Sequence, residues 1–117
     1  MNYRKLMNEL KEIFPFENYI KENSAGDSYK TVFSIVTQYL PKKSNVLDFG
    51  SGPCDKTAIV ALLGHNCIAY DDMQDQWHKE SDNSRKILEF SKKIGVEFIN
   101  PLESGISSQD FVFDMIM

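Results

Sequence analysis

Residues 44–56, SNVLDFGSGPCDK, constrain the fold of this chain more than any other stretch. The run containing Val46, Leu47 and Phe49 lacks a clean alternation of apolar and polar positions, the pattern of a strand covered on both faces. Gly50 and Gly52 follow at once, and neither carries a Cβ that would oppose positive φ or a close backbone approach. A helical stretch over residues 55–63 comes next and is closed by Gly64. A covered strand that passes through a tight turn into a helix is the first half of a β-α-β unit, so the strand that follows should pair parallel to it.

The remaining sequence repeats that alternation. Residues 67–70 predict a second strand, a helix begins at Asp82 or Ser84 and runs to Ile94 before Gly95, and residues 96–99 and 111–117 predict a third and a fourth strand. Upstream, Leu6, Met7, Leu10, Ile13 and Phe14 recur at helical spacing opposite Arg4, Lys5, Glu9, Lys11 and Glu12, and Pro15 ends that helix. A second helix is expected over residues 28–40, with Val32, Phe33, Ile35, Val36 and Leu40 on its apolar side, Asp27 or Ser28 as its cap and Pro41 as its stop. The expected class is α/β, a doubly wound parallel sheet of about four strands with helices on both faces. KENSAGDS and HKESDNS read as short loops within one domain, and no internal repeat or low-complexity segment interrupts it.

Composition narrows the functions open to such a domain. Apolar residues at 42% and charged residues at 26% suit a globule rather than a disordered chain. A net charge of -4 gives no general attraction to phosphate backbones, which disfavours nucleic acid as a partner. Two cysteines are too few for a disulfide framework, and the start MNYRKLMNELKEIF mixes charged and apolar residues unlike a secretory leader. No apolar run approaches the ~20 residues of a membrane span. The expected setting is a reducing cytoplasm, with no membrane partner.

In an open parallel sheet, ligands sit outside the carboxyl ends of the strands, where DFGSGPC falls. Pro53 suits the beginning of the following helix, and Asp55 interacts favourably with its dipole. Asp71 lies 19 residues beyond Gly52 (71 minus 52) at the end of the next strand, from which a carboxylate can accept hydrogen bonds from both ribose hydroxyls of an adenosine. A dinucleotide site of the form GxGxxG would need a third glycine at position 55, where Asp55 instead repels pyrophosphate. Asp48, just before the turn, suits an ammonium group better than a phosphate. S-adenosylmethionine combines adenosine with an ammonium and has no phosphate, whereas an NAD-binding oxidoreductase domain is the alternative that Asp48 and Asp55 speak against.

NVLDFGSGPC followed by CIAYDD resembles the glycine-rich motif and acidic second strand of the class I S-adenosylmethionine-dependent methyltransferases, which have a Rossmann-like fold. The resemblance extends from near Ser28 to FVFDMIM, roughly three quarters of the chain. It implies that Asp48, Gly50, Ser51 and Gly52 line the methionine end of the cofactor, that Asp71 holds the ribose and that Met73 packs near the adenine. It also places Asn100 or Leu102 at the adenine edge, although INPLES departs from the family's usual acid there, and Cys54 replaces a frequent third glycine. Residues 28–117 become the cofactor-binding domain and residues 1–27 a helical segment, with core packing and a lid over the cofactor both open as roles for the first helix and FPFENYI.

The activity implied by this resemblance is transfer of the cofactor methyl group to an acceptor, expected to be a small molecule rather than a nucleic acid. In the family, acceptor contacts come largely from beyond the fourth strand, so no catalytic residue is assigned. The chain is expected to be the N-terminal part of a longer enzyme, or to complete its sheet with another chain, because an uncovered edge favours self-association. A module that binds the cofactor without performing transfer stays open. Trp77 either covers the adenine or packs under a loop, and Asp72 reads as a carboxylate facing water. Cys54, His65, Cys67 and His78 lack the paired short spacings of a zinc site, and Asp71, Asp72 and Asp75 lack the spacing of a calcium loop, so no metal is expected.

Overall fold

A computed structural model describes residues 1–24, 26–103 and 112–117. In chain order the elements are α1 (Tyr3–Ile13), α2 (Tyr19–Asn23), α3 (Ser28–Tyr39), β1 (Asn45–Phe49), α4 (Asp55–Leu62), β2 (Asn66–Tyr70), α5 (Gln76–Lys79), α6 (Asn83–Lys93), β3 (Glu97–Ile99) and β4 (Met115–Ile116). The four strands form one parallel sheet in the order β3-β2-β1-β4. The fold is therefore α/β and Rossmann-like, as the alternation of strand and helix signals requires.

Local chemistry accounts for the element boundaries. The Asn2 side chain accepts a hydrogen bond from Lys5 N at 2.8 Å and caps α1, and the chain turns extended at Phe14, the residue before Pro15. Gly64 and Gly95 take φ of 93° and 75° just beyond α4 and α6, conformations that end a helix at little steric cost in glycine. The α2 and α5 helices run into KENSAGDS and HKESDNS, which read as loops, and no separate helix was expected at either place. At 5 and 4 residues they are too short to display a helical period. Among the described residues β4 covers only two of the positions predicted for it, and Phe111 lies outside the described residues.

Strand register sorts the side chains. Val46 pairs with Cys67 and Met115, and Asp48 with Ala69, so these residues share one face of the sheet. Successive right-handed crossovers from β1 to β2 and from β2 to β3 put α4 and α6 on the same side. Accordingly Ala58, Ile59 and Val60 of α4 and Ile87 and Phe90 of α6 form one buried cluster with Val46, Cys67 and Ala69. Leu6, Met7 and Leu10 of α1 join that cluster, so the N-terminal helix packs into the same core as the sheet. On the alternate face Phe49 is 62% exposed and Ile116 65% exposed, so β1 is buried only over Val46, Leu47 and Asp48. Among the described residues, no helix is long and apolar enough to cross a membrane.

Candidate functional site

Gly50 and Gly52 follow β1 with φ of 72° and 55°. The turn is fastened to the end of β2, because Gly50 N and Ser51 N both donate to the carbonyl of Tyr70, at 2.7 and 3.1 Å. Cys54 N then donates to Ser51 O at 3.0 Å, and α4 begins. Cys54 is left-handed as well, at φ 65°, where an L side chain costs about 1 kcal/mol, and it sits fully buried. Burial pushes its thiol up to about 12, and does the same to Cys67.

Asp71 joins this turn to the segment after β2. One carboxylate oxygen accepts from Gly52 N and the other from Met73 N, each at 2.8 Å. An ionised carboxylate has about four acceptor positions, so about two remain. The opposite end of the Gly52 residue is held as well, since its carbonyl lies 3.2 Å from Nε2 of His78, a ring only 2% exposed. A carbonyl can only accept, which assigns a proton to Nε2. Asp75 caps α5 by accepting from His78 N at 3.0 Å, and that backbone bond holds its carboxyl below the usual aspartate range. Its Oδ1 also lies 2.9 Å from His78 Nδ1, though without the alignment of a hydrogen bond.

Two further acids stand at the start of α4. Asp48 points from the sheet toward α4, is 6% exposed, and accepts a 2.6 Å bond from the Thr57 hydroxyl. Loss of solvent pushes its carboxyl up, an effect that the Thr57 bond partly offsets. Asp55, in the first turn of α4, accepts from the Tyr29 hydroxyl of α3 at 2.7 Å. Tyr29 is 1% exposed, and burial together with this bond raises its phenol well above the ordinary value.

A cavity of about 510 Å³ opens over these groups at the carboxyl ends of β1 and β4. The strand order reverses between those two strands, the position at which open α/β sheets receive ligands. Asp48, Gly50, Ser51, Gly52, Asp55 and Lys56 form its polar side, and Tyr19, Val32, Ile35, Phe49, Met115 and Met117 its apolar side. The hydroxyl of Ser51 is buried there with no hydrogen-bond partner. Its nearest polar neighbour is the Cys54 thiol, a weak partner.

Of the residues singled out by sequence, Asp48, Gly50, Ser51 and Gly52 come together around this cavity. Asp71 does not line it and is linked to it through Gly52 N. Met73 is 8% exposed and packs into the core. Asn100 and Leu102 share a turn after β3, with Leu102 N donating to Asn100 Oδ1 at 2.9 Å, and neither lines the cavity. Trp77 sets its edge against Phe16 at 5.0 Å, in an aromatic group that also holds Tyr19, so it packs against the FPFENYI segment. His65 Nδ1 accepts from Ser44 N, and partial burial lowers the pKa of its ring.

Sequence reasoning missed Tyr29, Thr57 and His78. A hydroxyl inside the apolar run TAIVAL marks Thr57. The Asp75 to His78 spacing fits a helix cap, while Tyr29 has no local signal because its partner is 26 residues away.

The arrangement can hold a polar, positively charged group against two carboxylates while an apolar wall keeps water from its other side. No protein-family model matches this chain, and no curated protein matches it.

Proposed function

We propose that this chain binds S-adenosylmethionine at the β1/β4 cavity and serves a methyltransferase that acts on a small-molecule acceptor. The observation that carries this reading is the joint between the glycine turn and Asp71, in which Gly52 N meets a carboxylate at the end of β2 that keeps acceptor capacity for a ribose. Further support comes from the acids at the start of α4, where a pyrophosphate ligand would instead need an acid-free helix end. When bound, the cofactor would supply a methyl group on a positively charged sulfur, for transfer to the acceptor with the neutral thioether as the leaving group. The chain's own part is then to hold and orient the donor. In this reading Asp71 holds the ribose, Gly50 and Gly52 let the backbone approach, and Val32, Met115 and Met117 exclude water from the donor's reacting end.

Calorimetric titration of the chain with S-adenosylhomocysteine, with NAD alongside, tests the reading. Saturable binding that NAD does not reproduce and that Asp71→Asn weakens is the expected result. Equal binding of NAD, or no binding by a folded sample, overturns it. A second reading, a module that binds the cofactor without transfer, is favoured by one observation. The two carboxylates of the cavity are already engaged by Thr57 and Tyr29, which leaves neither free to act as a base without giving up that bond. Turnover with a panel of acceptors separates the two.

A further inference from the structure

Asp48 was the acid expected to meet the ligand's ammonium, yet it is 6% exposed and turned under α4 onto Thr57. Asp55 stands in the same cavity in a more open position. Its Oδ2 is fixed by the Tyr29 hydroxyl at 2.7 Å, from a ring so buried that it has no freedom to follow the acid outward. Its Oδ1 carries no hydrogen bond among the described residues. The carboxylate is thus aimed before any ligand arrives, which reduces the ordering cost of binding.

From this geometry we infer that Asp55, positioned by Tyr29, reads the α-amino group of an adenosine ligand that bears an amino acid. The inference rests on the reading given under Proposed function and adds the residue that selects for the amino-acid end. A carboxylate in the more open part of a cavity with an apolar wall attracts a cation. Lys56, next in sequence and also in the lining, supplies the opposite charge for the ligand's carboxylate. Ser51, whose hydroxyl lies buried beside the Cys54 thiol, is a further polar residue of this lining. Adjacent opposite charges at the first turn of α4 therefore match the zwitterionic end of such a ligand.

The test uses two probes that share adenosine and a thioether and differ in the amino acid: S-adenosylhomocysteine has it and 5′-methylthioadenosine does not. Dissociation constants are measured by calorimetry for the parent chain, Asp55→Asn, Tyr29→Phe and Asp71→Asn. Asp55→Asn is expected to weaken S-adenosylhomocysteine about tenfold and 5′-methylthioadenosine less than about twofold, the loss of a charged hydrogen bond to one probe only. Tyr29→Phe should produce a smaller loss with the same selectivity, and Asp71→Asn should weaken both probes. Retained binding of 5′-methylthioadenosine reports that a variant is folded. If Asp55→Asn affects both probes alike or neither, while Asp71→Asn still weakens both, the assignment of Asp55 is overturned and the cofactor reading stands. If the parent chain binds neither probe, both fall.

Discussion

Removal of the Asp71 carboxylate gives the sharpest test of how the glycine turn is held. In Asp71→Ala, the N–H groups of Gly52 and Met73 lose their acceptors at once. Met73 is 8% exposed, so its N–H is left without ready access to water, at a cost of about 2 kcal/mol. Gly52 is half-buried and water can reach its N–H in part, so about 1 kcal/mol is expected there. The sum, about 3 kcal/mol, is a large share of the 5–15 kcal/mol by which a domain of roughly this size is stable. With the usual dependence of stability on urea, the unfolding midpoint should fall by at least about 1 M. Asp71→Asn retains one carbonyl oxygen and can satisfy one of the two donors, so its midpoint should lie between those of Asp71→Ala and the parent. If Asp71→Ala shifts the midpoint by less than about 0.3 M, the two bonds do not brace the turn and the argument fails.

Four other outcomes follow from the same structure. Because burial raises the Asp48 carboxyl, the folded chain keeps that proton to a higher pH than the unfolded chain; the associated stability is complete below the ordinary aspartate value of 3.8 and is lost as pH rises through the raised value. Asp48→Asn should flatten that decline, and denaturation at mildly acidic and at neutral pH would refute this if the variant declined as steeply as the parent. Tyr29→Phe removes a bond to a charged group and should cost about 1–2 kcal/mol in a denaturant titration, with no measurable loss arguing against the 2.7 Å contact. Cys54 and Cys67, buried and with thiols raised to about 12, should resist a thiol reagent at mildly alkaline pH until denaturant is added, and rapid labelling of the native chain would contradict their burial. Phe49→Ser with Ile116→Ser should reduce binding of a hydrophobic dye, since both side chains are more than half exposed on one sheet face, and unchanged fluorescence would place the dye elsewhere.

The sequence carried the fold where signals were local and repeated. The bounds of β1 agree at both ends because Pro41 lies shortly before it and Gly50 ends it, and α4 and α6 end at their glycines. What periodicity does not encode is the direction of a polar side chain on a strand. Asp48 reads as an acid beside a ligand and does line the cavity, but register puts it on the face shared with Val46, Cys67 and Ala69, where Thr57 takes up its carboxyl. Met73 follows Asp71 in sequence at the place expected for an adenine contact, and its side chain is buried with the core cluster. Bonds over long chain separations were illegible in principle. Tyr29 to Asp55 and His78 to Gly52 each cross 26 residues, and only tertiary packing brings them together. The glycines and acids announced a candidate site, while the residues that hold its groups in position came into view with the fold.

The strand order also has a consequence in time. β1 meets β2 across a chain separation of 21 residues, as at Asn45 and Asn66, but meets the segment leading into β4 across 69, as at Asn45 and Asp114. Closing the longer loop costs about 1 kcal/mol more in chain entropy, and β4 has two residues in register with β1. The β1–β2 pair is therefore the natural early nucleus, and β4 docks last and frays first. Met115 and Met117 wall the cavity, so the candidate site is complete only once this contact has closed. Any guest that fills the cavity acts as a clasp on the most weakly tethered part of the sheet, and amide exchange at Met117, whose N–H is bonded to Leu47 O, would slow in proportion to occupancy.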